Sequence, residues 1–226
     1  PLPHRWTAGS IRRALHGSLQ RLRVDCIDLY QVHWYLPTLR IETLMNVLAD
    51  AVQEGKIRAI GVSNYSEARM RQAHAILAKR GLALAANQVE YHLLNRECER
   101  NGVLSACQEL GITLIAYSPL GKGLLSGKYR PGVNISGARR GLRAFAPEQL
   151  AAAMPTIDLL TAIGAAHGKT ASQVALNWLV RQPGVLPIPG AKNGQQAAEN
   201  AGALGWEMTA AEADALDQTS RAAFRA

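Results

Sequence analysis

The sequence predicts an α/β protein built as part of a (β/α)8 (TIM) barrel, on three observations. Apolar, β-branched runs recur with amphipathic segments between them, beginning near residues 26, 57, 85 and 113 at intervals of 31, 28 and 28. A strand, a crossover helix and two short loops need about that length. Each run ends in a cluster of polar or special residues, and a barrel gathers its chemistry at the carboxyl ends of parallel strands. No glycine-rich phosphate loop follows the first strand, where an open doubly wound sheet would normally carry one. Five strands are counted where a closed barrel needs eight. At about 29 residues per unit, roughly three units, or some 85–90 residues, are expected to be missing from the front. Residues 1–226 therefore read as one N-terminally incomplete domain.

Ser10 is expected to cap a first helix, with Ile11, Leu15, Ser18/Leu19 and Leu22 on one face. The segment DCIDLYQVHW follows, a strand over 26–32 without in/out alternation, as expected of a strand buried on both faces. Pro37-Thr38 breaks the chain, and Ile41, Leu44, Met45, Leu48 and Val52 mark a helix closed at Gly55. Strand 57–62 runs into Ser63-Asn64-Tyr65, and a helix opened by Ser66 stops near Gly81. Strand 85–90 carries Gln88; a helix around 102–110 ends at Gly111, and strand 113–118 runs into Pro119-Leu120-Gly121.

The fifth strand, 185–189, begins 72 residues after the fourth, so its unit carries an insertion. Residues 121–155 are expected as a long loop over the site and 157–166 as an added helix. Thr170-Ala171-Ser172-Gln173 is a capping box for the crossover helix, which stops before Pro183-Gly184. Pro187 and Pro189 cannot donate ladder hydrogen bonds, so the fifth strand rests on the alternation of units. Helices at 195–203 and 210–218, the latter capped by Thr209, complete the chain.

Hydrophobic residues make up 48% of the chain, the composition of a soluble globular protein. No apolar run approaches the roughly 18–20 residues of a membrane span. The opening PLPHRWTAGS has neither the apolar core of a signal peptide nor an initiator Met. Cys26, Cys98 and Cys107 show no metal spacing, which points to a reduced, cytoplasmic protein without a metal site. The net charge of +8 comes without a basic run interleaved with aromatics, which argues against nucleic acid. A basic surface that attracts a phosphate-bearing cofactor accounts for it better. Nothing in the sequence specifies an oligomeric state.

Five motifs, DLYQVHW, GKIRAIGVSNY, NQVEYH, AYSPLGKGLLSGKY and IPGAKNGQQAAEN, resemble in order and spacing those of the aldo-keto reductases. The resemblance implies strands four to eight of the barrel and transfer of a hydride between NADPH (NADP+) and a small-molecule aldehyde or ketone. It implies that His33 donates a hydrogen bond to the substrate carbonyl, as a neutral imidazole can. Trp34 and Tyr35 would lie beside the substrate. Ser63, Asn64 and Gln88 would hydrogen-bond the nicotinamide carboxamide, which needs both donors and acceptors, and Tyr117 would stack on its ring. Ser118, Leu120, Gly121 and Lys122 would line the pyrophosphate, and Gly190, Ala191 and Lys192 would open the phosphate-binding loop of the last strand. Gln196, Glu199 and Asn200 would contact the adenosine. Gln196 stands where the family commonly has arginine, so Lys192 is the residue expected to pair with the 2′-phosphate. The family's proton-donating tyrosine, with its lysine and aspartate, matches nothing here, and the chain alone is expected to be inactive. The alternative is an NADPH-binding regulatory subunit resembling the β subunits of potassium channels.

Overall fold

The computed structural model describes residues 7–222 apart from 36–38, 134, 136, 138 and 139. The expected break at Pro37-Thr38 lies outside the described residues. Five strands stand in one sheet in the order β1-β2-β3-β4-β5: β1 (Ile27–Val32), β2 (Ile57–Ser63), β3 (Leu84–Glu90), β4 (Thr113–Tyr117) and β5 (Val185–Pro187). Pairing of β1 with β2 and of β2 with β3 is parallel. Sequence order equals spatial order, which a doubly wound sheet would reverse at its switch point. β5 is shorter than expected, because Pro187 and Pro189 interrupt the ladder; Ile188 between them still donates its N–H to the Ala116 carbonyl at 3.0 Å.

The chain forms two compact units, residues 1–89 with 99–115, and residues 90–98 with 116–226. In the first unit, helices α1 (Ala8–Leu22), α2 (Ile41–Gln53), α3 (Glu67–Ala78) and α5 (Val103–Leu110) accompany the strands; the short α4 (Glu97–Arg100), shared between the two units, precedes α5. Thr7, not Ser10, caps α1: Ser10 is the third residue of a reciprocal capping box, and the two hydroxyl side chains satisfy each other's backbone N–H groups. Ile11, Leu15 and Leu19 are buried as expected, whereas Leu22 turns to solvent in the last turn.

β1 departs from the expected doubly buried strand, since none of its six residues is buried. It stands at one end of the strand order and pairs with β2. Gly61 of β2 sits opposite Gln31, whose side chain lies across it; an added Cβ would come within 2.8 Å of the Gln31 Cγ.

Gly102, which precedes α5, has φ +80°, and a Cβ there would run into the Glu67 carboxylate. Glu67 accepts from Arg71 Nε at 2.9 Å, while the other guanidinium nitrogens of Arg71 grip Glu109. Gly102→Ala should therefore destabilise the protein by about 1–2 kcal/mol, mostly from the left-handed backbone, since exposed ion pairs contribute little. Urea denaturation should show a lower midpoint with an unchanged slope.

The second unit holds α6 (Pro147–His167), α7 (Ala171–Val180), α8 (Gly194–Ala201) and α9 (Ala210–Ala222), with α7 packed on β5. The stretch 121–155, expected as a loop, holds 3₁₀ segments at Gly121–Ser126 and Arg143–Phe145, and α6 begins at Pro147. Pro155 lies inside that helix. Losing its N–H costs roughly 3 kcal/mol, but burial of Leu150, Ala153, Ile157 and Leu160 on both sides carries the helix through. With 21 residues, α6 is long and apolar enough by composition to cross a membrane, contrary to the sequence expectation. It packs on α7 and α9. The Thr170–Gln173 capping box of α7 is formed as expected, and Thr209 with Glu212 makes another at α9, which runs four residues longer than the sequence suggested.

Candidate active site and nucleotide groove

In the first unit the candidate residues follow β1, close β2 and lie within β3. His33 and Trp34 leave the end of β1 exposed to solvent, their rings stacked at 6.2 Å between centroids. Tyr35 meets Tyr65 edge-on at 5.9 Å, and the Arg69 guanidinium lies 4.4 Å over the Tyr35 ring. Burial pushes the Tyr65 phenol well above its ordinary pKa.

Ser63, Asn64 and Gln88 form one hydrogen-bonded group. The Gln88 carbonyl accepts from the Asn64 N–H at 2.8 Å and from the Ser63 hydroxyl at 2.9 Å. Asn64 Nδ2 donates to Ser63 Oγ at 3.1 Å. Asn64 adopts φ +58°, a conformation that asparagine tolerates better than most side chains. The backbone of this turn is thus tied to β3, and the amide of Gln88 remains half-buried at the strand end.

In the second unit a groove of about 620 Å³ opens among the turn after β4, the loop after β5 and the face of α8, a size common for small-molecule sites. Nine of the residues singled out from the sequence line it: Ser118, Leu120, Lys122, Gly190, Ala191, Lys192, Gln196, Glu199 and Asn200. Ser118 and Lys122 have φ of +50° and +58°, so two non-glycine residues in left-handed conformation shape one wall. Such strain gathers where surrounding structure imposes a functional geometry. Asn193 caps α8 by accepting from the Gln196 N–H at 2.9 Å, and Gln196 Oε1 accepts from the Lys192 N–H at 2.8 Å. The Gln196 oxygen is therefore engaged with the Lys192 N–H, and its amide nitrogen is what it offers the groove. Asn200 Nδ2 donates to the Gly190 carbonyl at 3.4 Å, a long bond from the helix to the loop.

Three lysines, Lys122, Lys128 and Lys192, face one carboxylate, Glu199, around this groove. That balance, together with the amino end of α8, suits an anion such as a diphosphate. Gly190 and Gly194 have open space where a Cβ would stand, so backbone can approach a ligand there. The donor set fits a phosphorylated nucleotide: cations for phosphates, and the Glu199 carboxylate with the Asn200 and Gln196 amides for ribose and base.

Two expected members lie elsewhere. Gly121 lines a smaller neighbouring cavity of about 90 Å³ with Glu90 and His92, because its φ of +56° turns it toward the His92 ring. Tyr117, half-buried at the end of β4, does not line the groove, and burial followed by the charge of Glu90 raises its phenol pKa. Lys128 and Tyr129, which sequence reasoning passed over, do line it. They belong to the same GKGLLSGKY run, and only the fold-back through the 3₁₀ segment shows that its far end returns to the groove. Ser172, visible in the sequence only as part of a helix cap, lines it as well.

A family model described as "Aldo/keto reductase family" matches residues 1–221. The chloroplastic pyridoxal reductase of Arabidopsis thaliana is 38% identical over 212 residues, covering 92% of this chain and 56% of that protein. The Schizosaccharomyces pombe aldo-keto reductase yakc [NADP(+)] is 38% identical over 199 residues, covering 86% of this chain and 57% of that protein. Among solved structures, the glycerol dehydrogenase of Gluconobacter oxydans superposes with a TM-score of 0.86 at 29% identity, over 95% of this chain and 64% of that one. A thermostable aldo-keto reductase in complex with the inhibitor epalrestat gives 0.78 at 30% identity, over 96% and 68%. This chain thus spans less than two thirds of the length of those two curated relatives.

Proposed function

From a chain that belongs to the aldo/keto reductase family, we propose an oxidoreductase activity: NADPH-dependent reduction of small aldehydes or ketones to alcohols. We propose too that its five parallel strands correspond to strands four to eight of a (β/α)8 barrel. The observation that supports the cofactor most is the lysine-lined groove of the second unit, where nine residues singled out by the family resemblance converge. Bound NADPH would supply the hydride. Lys122 and Lys192 would hold phosphates by charge-assisted hydrogen bonds. Glu199 and Asn200 would accept and donate at the adenosine, and the small residues at Gly190 and Ala191 would let the loop backbone approach.

At the strand ends of the first unit, the amide of Gln88 and the tied Ser63-Asn64 turn would meet the nicotinamide carboxamide. His33 would donate a ring N–H to the substrate carbonyl oxygen as that oxygen gains negative charge, with Trp34 and Tyr35 beside it. Tyr117 would offer its ring face to the nicotinamide.

A carbonyl reduction also needs a proton for the developing alkoxide, a contribution of typically about 10²–10⁴-fold in rate. The matched motifs contain no tyrosine accompanied by a lysine and an aspartate in the family's manner. Residues 1–226 alone should therefore give no measurable NADPH oxidation with 4-nitrobenzaldehyde, while still quenching NADPH fluorescence on binding. Turnover that disappears on substituting a tyrosine within 1–226 would place the acid in this chain and refute this assignment.

A further inference from the structure

Lys122 has two places to put its charge. It lines the nucleotide groove, and it also lines the adjoining cavity of about 90 Å³ that holds Glu90 and His92. Glu90 lies at the end of β3, and His92 Nε2 stands 3.7 Å from its Oε1. The ring is oriented for that contact, because His92 Nδ1 accepts the Leu94 N–H at 3.2 Å.

The backbone beneath Lys122 is held in place. Gly121, Lys122 and Gly123 are three consecutive left-handed residues, with φ of +56°, +58° and +98°. Gly121 packs so closely on His92 that a Cβ would stand 3.3 Å from the ring. The turn is therefore fixed at the cavity, while the flexible four-carbon stem of Lys122 carries its ammonium beyond that backbone. Glu90, for its part, does not depend on Lys122 alone. Its carboxyl is held below the usual range by the neighbouring His92 ring first, and further by the charge of Lys122 and by Asn95, against the opposing effect of burial. It keeps partners if the ammonium swings away, so the exchange would strand no unpaired buried charge.

We propose that Glu90 is an internal competitor for Lys122: its carboxylate attracts the ammonium on the cavity side, and a nucleotide phosphate entering the groove takes it over. Glu90 is then a positioning residue that weakens nucleotide binding. The inference rests on the reading of the groove as an NADP(H) site and deepens it.

The test is a double-mutant cycle read by calorimetric titration of the full 226-residue chain with NADP+ at low ionic strength. Glu90→Gln should bind about three- to tenfold more tightly than the unaltered chain, the scale of one partly screened ion pair. Lys122→Met should bind more weakly, and Glu90→Gln added to Lys122→Met should change nothing further. Lys122→Gln provides a second background if the Met variant does not fold. Weaker or unchanged binding by Glu90→Gln overturns the proposal. So does tightening that persists undiminished without Lys122, which would mark a general charge effect. If the unaltered chain and Glu90→Gln both fail to bind NADP+, the cofactor reading itself falls and this inference with it. That result is distinct from a measurable affinity that Glu90→Gln leaves in place.

Discussion

Replacing Asp217 by alanine should lower the stability of the folded chain by about 2–4 kcal/mol, somewhat under the usual cost of breaking a buried pair because Asp217 keeps some solvent contact. Its Oδ1 accepts from Arg96 Nη1 at 2.9 Å and from the Trp178 indole N–H at 3.0 Å. Arg96 is 4% exposed, lies 4.9 Å over the Trp178 ring and also donates to Ser220 Oγ at 3.0 Å. Tyr91 packs edge-on against the same indole at 5.6 Å. Removing the carboxylate leaves a buried guanidinium undercompensated and a buried indole N–H without this acceptor, and each is a desolvation cost that nothing repays. Urea unfolding should show the drop, with a smaller one for Asp217→Asn, which keeps an acceptor but no charge. The double variant Arg96→Met/Asp217→Leu should recover most of the stability, since a packed apolar pair carries no stranded charge. A loss below about 1 kcal/mol for Asp217→Ala would show that solvent screens the pair and that α9 is anchored by apolar contacts.

The second large effect is on cofactor choice. Lys192 opens the loop after β5, and its own N–H is tied to Gln196 Oε1, so the backbone is set while the side chain faces the groove. Lys192→Ala should weaken NADPH by about 1–3 kcal/mol, roughly 5- to 150-fold, and NADH far less, because only NADPH carries the 2′-phosphate. Fluorescence titration of both cofactors measures it. The discrimination should shrink at 0.5 M salt, since Lys192 is exposed. Equal losses for both cofactors would assign Lys192 a structural role. No gain of function is expected from Gln196→Ala: its oxygen accepts from the Lys192 N–H, so the substitution should loosen the loop as well as the adenosine contact.

The sequence by itself determined the alternation of strands and helices, the order of the strands and the polar residues that follow them. Those features are local: a run such as Ile57–Ser63 needs only its β-branched and apolar residues and the stops that bound it. Helix ends were legible for the same reason where a glycine or a hydroxyl closes them, as at Gly111 and Thr170. The local signal failed at Thr7, where two hydroxyls three residues apart could each have been the cap. It failed again at Pro155, where the burial of neighbouring leucines and isoleucines overrides a helix breaker.

Tertiary structure alone decided three matters. β1 is only half-buried because its place in the sheet, not its composition, sets how many neighbours cover it. Lys128 and Tyr129 reach the groove because the 3₁₀ segment folds their motif back on itself, a reversal with no periodic signature in the chain. Glu90, His92 and Lys122 share a cavity only because the end of β3 and the left-handed turn after β4 come together across 30 residues of sequence. A single chain order cannot encode that meeting, because it depends on how strands pair and on which backbone angles a turn adopts once its surroundings are packed.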